Sequence, residues 1–180
     1  MNDHPIIEEL PSEPCPAGDD NCPNLSEVER LREEIKQLAA LVRTDELTGL
    51  FNFRYFSQAL GLEMERTRRS GQPTCLIMCD LDHFKDINDV HGHAAGDAVL
   101  KQVATMLRDL VRETDVVSRL GGDEFAILVH HIEHIEIIRK IVDRIFNSLK
   151  KPIIIKGETI VISASIGIAT YPECATDAIQ

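Results

Sequence analysis

The chain has 180 residues and a net charge of −11, a length that suits one domain with an appendage. Binding to nucleic-acid polymers in general needs a basic surface against the phosphates, so this acidic composition argues against that function. No apolar stretch reaches the ~20 residues that a membrane helix needs, and the acidic N-terminus is unlike a signal peptide.

Residues 1–24 form an acidic tail that we expect to be disordered. The tail contains six acidic residues and no Lys or Arg, together with several prolines and few apolar residues. Two of the five cysteines, Cys15 and Cys22, lie there without a C-x-x-C pair or a matching His. This context disfavours a metal or disulfide role for them.

A helical stalk is predicted over residues 25–43. Ser26 can cap it, with Glu29 three residues later completing a capping box. The apolar residues that follow are spaced by three and four, as in a short coiled coil of about two heptads. One interpretation is an amphipathic helix docked on its own domain, and the other is a stalk that pairs two chains. The spaced apolar residues are Val28, Leu31, Ile35, Leu38 and Val42.

Three further helices are predicted from apolar residues that recur at spacings of three and four. The first should bury Phe53, Phe56 and Leu60 on one face. The predicted helices cover about Phe53–Arg69, Gly96–Val111 and His134–Leu149.

Strands are predicted between these helices. The continuous apolar run Thr74–Cys79 is typical of a buried strand, and the Gly pair Gly121–Gly122 between two apolar runs predicts a tight hairpin. A second hairpin should join Pro152–Ile155 to Thr159–Ser165, which leads into a strand over Ile166–Thr170. We therefore expect an α+β fold with a mixed, mainly antiparallel central sheet flanked by helices.

Carboxylates follow two of these strands. Asp80 and Asp82 end the buried strand on one face, and Asp123 and Glu124 follow the glycine turn. Neighbouring like charges raise each other's proton affinity unless a cation lies between them. If the strand lies beside the hairpin, Asp80, Asp123 and Glu124 converge as hard oxygen ligands, which favours Mg²⁺ or Mn²⁺ over zinc. The alternative is separate solvated acids at strand ends, the usual state of Asp and Glu.

Several motifs that occur in order from Thr44 to the C-terminus resemble those of the GGDEF family of diguanylate cyclases. The resemblance implies a sheet of the nucleotidyl-cyclase and polymerase-palm type, with residues 44–180 as the catalytic domain. It also implies an enzyme that condenses two GTP into cyclic di-GMP and releases pyrophosphate, and GTP as substrate points to the cytoplasm. The motifs are D-E-L-T-G-L from Asp45 with Asn52, D-L-D-H-F-K from Asp80, Asn88-Asp89, Gly92-His93, Gly96-Asp97, G-G-D-E-F from Gly121 and S-I-G-I-A from Ser165.

The reaction joins the 3′-hydroxyl of one GTP to the α-phosphorus of the other, and it depends on in-line positioning and charge neutralisation. The resemblance implies two Mg²⁺ or Mn²⁺ ions per site, held by Asp80 and Asp123, with the Leu81 carbonyl and Glu124 completing the shell. Asp123 would also help to deprotonate the hydroxyl.

The resemblance also implies the substrate-binding residues. Asn88 and Asp97 match the family positions that recognise guanine, whose N1–H and N2–H₂ edge suits a carboxylate acceptor. Phe84 and Lys85 lie toward the phosphates, and His93 is either a substrate contact or a helix-entry or packing residue. The predicted turn residues Gly121 and Gly122 let the backbone approach the phosphates.

Arg112 and Asp115 form an R-x-x-D pattern ahead of the glycine turn. At this offset the pattern resembles the family's inhibitory site, where the product cyclic di-GMP binds, and the alternative is a surface ion pair. Because each protomer would bind one GTP, the resemblance implies a homodimer, formed through the N-terminal helix or the active-site faces.

The chain ends at Gln180, where Ala175–Gln180 begins to look like another helix. Family members continue with a helix and a final strand that carry cations for the GTP phosphates, so we expect a domain truncated at its C-terminus. This leaves a rival function open, a weakly active or inactive module that binds cyclic di-GMP at Arg112 and Asp115 or only dimerises. The three acids Asp80, Asp123 and Glu124 favour the enzyme, and the motif series disfavours a plain coiled-coil adaptor.

Overall fold

The structure, a computed structural model, describes residues 27–28, 30–35, 42–132, 134–155 and 157–173. The chain divides into two compact units, Met1–Arg43 and Thr44–Gln180. In the first unit, residues 27–28 and 30–35 are helical, and Val28, Leu31 and Ile35 are exposed. The tail expected over residues 1–24 and the helix expected at 175–180 lie outside the described residues.

The second unit contains helices and strands joined by short connections. Its helices are α1 (Phe53–Ser70), α2 (Phe84–His91), α3 (His93–Leu110) and α4 (Ile135–Leu149). Its strands are β1 (Phe51–Asn52), β2 (Thr74–Asp82), β3 (Val116–Gly121), β4 (Glu124–Val129), β5 (Ile153–Ile155), β6 (Glu158–Ile160) and β7 (Ser163–Tyr171). Across the described ranges, no helix combines the length and the apolar character needed to cross a bilayer.

Five strands form the central sheet in the order β1-β3-β4-β2-β7. Strand β1 runs parallel to β3, whereas every other neighbouring pair is antiparallel. The predicted mixed, mainly antiparallel sheet is therefore confirmed. In the described part of the chain, strands β5 and β6 pair only with each other and form a separate ribbon.

Helices cover both faces of the central sheet, because alternate residues of each strand point to opposite sides. On one side, Cys79 and Leu81 of β2 belong to a core cluster with apolar residues of α3 and α4. On the other side, Ala126 and Leu128 of β4 pack with Phe56 of α1. Both faces of β2 are thus covered over most of its length, and its polar end becomes the accessible part.

Helix α2 was not predicted from the sequence. It begins at Phe84, and its N-cap residue His83, directly after β2, has a left-handed backbone with φ of 57°. Phe84 and Ile87 are its buried residues. Three apolar positions in eight residues, of which Val90 is exposed, are too few for a helical period to stand out. Helix α3, in turn, begins three residues before the predicted start at Gly96.

The face predicted for the first helix is wrong at Phe53, which is 50% exposed. The prediction holds for Phe56, which is buried, and Leu60 is half-buried. Helix α1 also buries Met64 and two polar residues, Glu63 and Thr67. Helical side chains lie over the turn that precedes them. Because Phe53 is the first residue of α1, no helical turn precedes it.

The strand predicted over Thr159–Ser165 is wrong in its second half. Strand β6 ends at Ile160, and Ser163–Ser165 belong to β7. Strand β7 pairs with β2 from Thr74 opposite Tyr171 to Asp82 opposite Ser163. The chain therefore passes from the ribbon to the central sheet at residues 161–162. A local pattern of apolar residues does not indicate which strand each segment pairs with.

Candidate active site

The glycine turn joins β3 to β4 as predicted. Gly122 has φ of +52°, a left-handed conformation that side chains other than glycine rarely adopt. The pairing of the two strands shifts register between Arg119 and Gly121, which indicates a β-bulge just before the turn. Asp123 completes the turn and Glu124 begins β4.

The pairing of β2 with β4 brings the two acidic segments together. Asp80 lies directly opposite Glu124 in the antiparallel register. The backbone N–H of Leu81 donates a hydrogen bond of 3.3 Å to the carbonyl oxygen of Asp123. Asp80, Asp123 and Glu124 are therefore neighbours at one end of the sheet, although more than 40 residues separate the first from the others in sequence.

The pKa values of Asp80 and Asp82, the two acids of this motif, are shifted in opposite directions. Desolvation, and then the negative charge of three neighbouring carboxylates, raises the pKa of Asp80 above its usual range. A cation bound beside these groups would reduce their repulsion. The neighbouring carboxylates are Asp82, Asp123 and Glu124.

Asp82 is held by β7. The hydroxyl groups of Ser163 and Ser165 each donate a hydrogen bond of 2.7 Å to its carboxylate. These two hydrogen bonds lower the pKa of Asp82. Ser165 was identified only as the start of the S-I-G-I-A motif, without this role, and Ser163 was not singled out; the local signal for both is their alternation with apolar residues in S-A-S-I.

The acidic side chains at this end of the sheet are hard oxygen donors, the type that Mg²⁺ and Mn²⁺ prefer. Within the described ranges, no group of three or more Asp, Glu, His or Cys side chains is arranged so that it could hold a metal ion. Mg²⁺ is commonly bound by one or two carboxylates together with water and substrate phosphates. The facing residues Asp80 and Glu124 with the adjacent Asp123 match that partial kind of site better than a complete protein cage.

Arg119 fixes the glycine turn to the segment before β1. Its Nε and Nη2 atoms donate to the carbonyl oxygen of Gly122 at 2.9 and 2.7 Å, and Nη1 lies 3.3 Å from both carboxylate oxygens of Asp45. Asp45 also accepts hydrogen bonds from the backbone and hydroxyl of Thr48. Although partial burial acts in the opposite direction, these bonds and the charge of Arg119 hold the pKa of Asp45 below its usual range. This role of Arg119 was not predicted from the sequence.

Helices α2 and α3 carry the residues predicted to bind the nucleotide. Asn88 is half-buried on α2, whereas Lys85 and Asp97 are exposed. Phe84 is only 9% exposed and its side chain belongs to the core, so a phosphate contact would have to come from its backbone N–H. His93 is the exposed first residue of α3, which favours the helix-entry interpretation over packing.

The R-x-x-D pair is joined through the backbone. Asp115 is 7% exposed, and its carboxylate accepts hydrogen bonds from the N–H groups of Arg112 at 3.0 Å and of His130 at 3.3 Å. Asp115 therefore stabilises the start of β3. The exposed Arg112 lines a cavity of about 350 Å³ whose wall also contains Lys140 and Arg144.

Comparison with known proteins identifies the family. The model of the diguanylate cyclase GGDEF domain matches residues 42–180. The chain is 40% identical over 147 residues to the diguanylate cyclase TpbB of Pseudomonas aeruginosa, covering 81% of this chain and 34% of TpbB. It is 37% identical to the cyclic di-GMP phosphodiesterase NbdA of the same species, covering 82% of this chain and 18% of NbdA.

Among solved structures, the coiled coil and GGDEF domain of DgcB from Caulobacter crescentus, in complex with c-di-GMP, superposes with a TM-score of 0.68. The identity is 29%, and the match covers 82% of this chain and 78% of DgcB's crystallised chain. The chain thus spans about a third or less of the two curated relatives, while the family model covers most of it. The fold is that of solved GGDEF domains, and the chain belongs to the GGDEF domain family.

Proposed function

We propose that the second unit is the catalytic domain of a diguanylate cyclase that joins two GTP molecules into cyclic di-GMP and releases pyrophosphate. One observation carries the proposal. The β2–β4 register places Asp80 opposite Glu124 and bonds Leu81 to Asp123, so carboxylates from two segments meet at the accessible end of the sheet. Membership of the family and the similarity to TpbB support the same activity.

Asp80 and Asp123 would hold two divalent cations, Mg²⁺ or Mn²⁺, with the Leu81 carbonyl and Glu124 as further ligands. Bound cations would neutralise charge on the attacking and leaving oxygens of the phosphoryl transfer. Asp123 would accept the proton of the attacking 3′-hydroxyl. The backbone of Gly121 at the turn would approach the phosphates closely.

The rest of the substrate would lie against α2 and α3. The carboxylate of Asp97 suits the donor edge of guanine, and the carboxamide of Asn88 can both donate and accept. The backbone N–H of Phe84 at the start of α2 would contact a phosphate, because the first N–H groups of a helix have no partner within it. The exposed side chain of Lys85 would contact the phosphates as a cation. His93, at the start of α3, is exposed on the same pair of helices.

The direct test is incubation of the purified chain with GTP and Mg²⁺, followed by mass-spectrometric analysis of the products. Cyclic di-GMP should form with GTP and not with ATP alone, and EDTA should stop its formation. Absence of cyclic di-GMP from the complete reaction would overturn the proposal.

A second function is a cyclic di-GMP-binding module without turnover. The cavity beside Arg112 favours it, since Arg112, Lys140 and Arg144 offer cations to a phosphodiester. The same incubation separates the two functions, because binding of cyclic di-GMP without its synthesis would support only the module.

Catalysis by a homodimer should make the rate per chain rise with protein concentration, because two GTP-loaded sites have to meet. The exposed residues Val28, Leu31 and Ile35 of the first unit are apolar at coiled-coil spacing, and pairing would bury them. The measurement is initial rate against chain concentration, with light scattering to follow the mass. A rate per chain that stays constant while the mass changes from monomer to dimer would contradict the dimer requirement.

Replacement of Arg112 by Ala should remove inhibition by added cyclic di-GMP and leave the initial rate without product unchanged. Arg112 is the exposed member of the R-x-x-D pair, whereas the buried carboxylate of Asp115 already accepts two backbone hydrogen bonds. The readout is the concentration of cyclic di-GMP that halves the rate. Arg108→Ala, on the exposed surface of α3, is the matched control. Unchanged inhibition in Arg112→Ala would refute the feedback site.

A further inference from the structure

We infer that Gly96 is a positioning residue for base recognition: the missing side chain at this position lets the carboxamide of Asn88 lie against α3 at the residue that precedes Asp97. The inference rests on the proposed function, in which Asn88 and Asp97 contact guanine. Gly96 is on α3, which also carries Asp97, and it faces Asn88 on α2.

The geometry at Gly96 leaves no room for a side chain. A Cβ atom built there would lie 2.0 Å from Oδ1 and 3.0 Å from Cγ of Asn88, and 3.1 Å from Cζ of Phe84. Real Cβ atoms essentially never approach another heavy atom within 3.0 Å. An alanine at residue 96 would therefore require the Asn88 carboxamide to leave its position.

The close approach follows from the way the two helices are connected. Only Gly92 separates α2 from α3, and it adopts φ of 82°. The N–H of Gly92 donates to the carbonyl of Asn88 at 2.9 Å, and the N–H of Gly96 donates to the carbonyl of Gly92 at 3.2 Å. These bonds fix the first turn of α3 against the last turn of α2, so the space between Asn88 and Gly96 is set by the backbone.

The substitution should change recognition more than folding. The colliding atoms of Asn88 are at the free end of a half-buried side chain that can rotate, and only Phe84 in the core has to give way by a few tenths of an ångström. Alanine is also the better helix former, which offsets part of that strain. The exposed carboxylate of Asp97 would stay in place, but Asn88 would no longer contact the base beside it.

The first experiment compares Gly96→Ala with Gly61→Ala. Gly61 lies within α1, and a Cβ atom there meets nothing within 4 Å, so it controls for the general effect of Gly→Ala in a helix. The measurements are GTP and ATP affinity by competition with a fluorescent GTP analogue, KM and kcat for cyclic di-GMP synthesis, and urea unfolding. We expect the GTP-over-ATP preference to fall roughly tenfold in Gly96→Ala, the scale of one lost specific base contact. Gly61→Ala should keep that preference.

A double-mutant cycle with Asn88→Ala shows whether Gly96 acts through Asn88. In the Asn88→Ala background the carboxamide is absent and only the Phe84 ring still lies close to residue 96, so adding Gly96→Ala should cause no further loss of GTP affinity. An unchanged GTP-over-ATP preference in Gly96→Ala, or an equal loss in both backgrounds, would overturn the inference. A wild-type chain that binds GTP selectively but makes no cyclic di-GMP would instead refute the proposed function, and the affinity measurements would still decide the role of Gly96.

Discussion

Asp123→Asn should lower kcat for cyclic di-GMP synthesis by roughly a thousandfold, within the range for a residue that accepts a proton in the transition state. The substitution removes both the proposed proton acceptor and one carboxylate of the cation site. It should not destabilise the fold, because it also removes a negative charge beside Asp80. Product formation by chromatography and urea unfolding measure the two effects on the same preparation.

The combination of lost activity and retained stability separates a site residue from a packing residue. Glu65→Gln provides the control, because Glu65 is an exposed acid on α1 and belongs neither to the acidic site nor to the R-x-x-D segment. This control should keep both the activity and the unfolding midpoint. An Asp123→Asn variant that retains activity within tenfold of the wild type would remove Asp123 from the proposed chemistry.

Arg119→Ala should lower both activity and stability. The guanidinium donates to the carbonyl of Gly122 and to the carboxylate of Asp45, and the Asp45 side chain is only 24% exposed. Loss of charged hydrogen bonds of this kind costs about 2 kcal/mol in the free energy of unfolding. Release of the turn that positions Asp123 should cost on the order of a hundredfold in kcat.

Arg119→Lys tests the geometric part of this prediction. Lysine keeps the positive charge, yet it lacks the planar fork that reaches both Gly122 and Asp45. We therefore expect activity between that of the wild type and that of Arg119→Ala. Full activity in Arg119→Ala would show that the turn holds its position without this network.

The sequence predicted the central part of the site because its features are local. A glycine pair between apolar runs marks a hairpin, an apolar run ending in Asp80 marks a buried strand, and the ordered motifs supplied the family. From the sequence, the strand ending at Asp80 was expected to lie beside the hairpin, and the pairing of β2 with β4 confirms this.

The features that were missed depend on contacts distant in sequence or on short elements. Arg119 and Asp45 are 74 residues apart, and neither motif alone indicates that they meet. The hydrogen bond from Ser163 to Asp82 depends on the register of β7 against β2. Helix α2 is eight residues long, which gives the apolar pattern little room to repeat.

The central claim is that Asp80 and Asp123 bind divalent cations together with the nucleotide. Its most direct test is electron paramagnetic resonance of Mn²⁺ titrated into the chain with a non-hydrolysable GTP analogue. Mn²⁺ binding should require the analogue, weaken in Asp80→Asn and Asp123→Asn, and persist in Asp82→Asn, whose carboxylate is held by two serine hydroxyls. Wild-type Mn²⁺ affinity in both Asp80→Asn and Asp123→Asn would contradict the account.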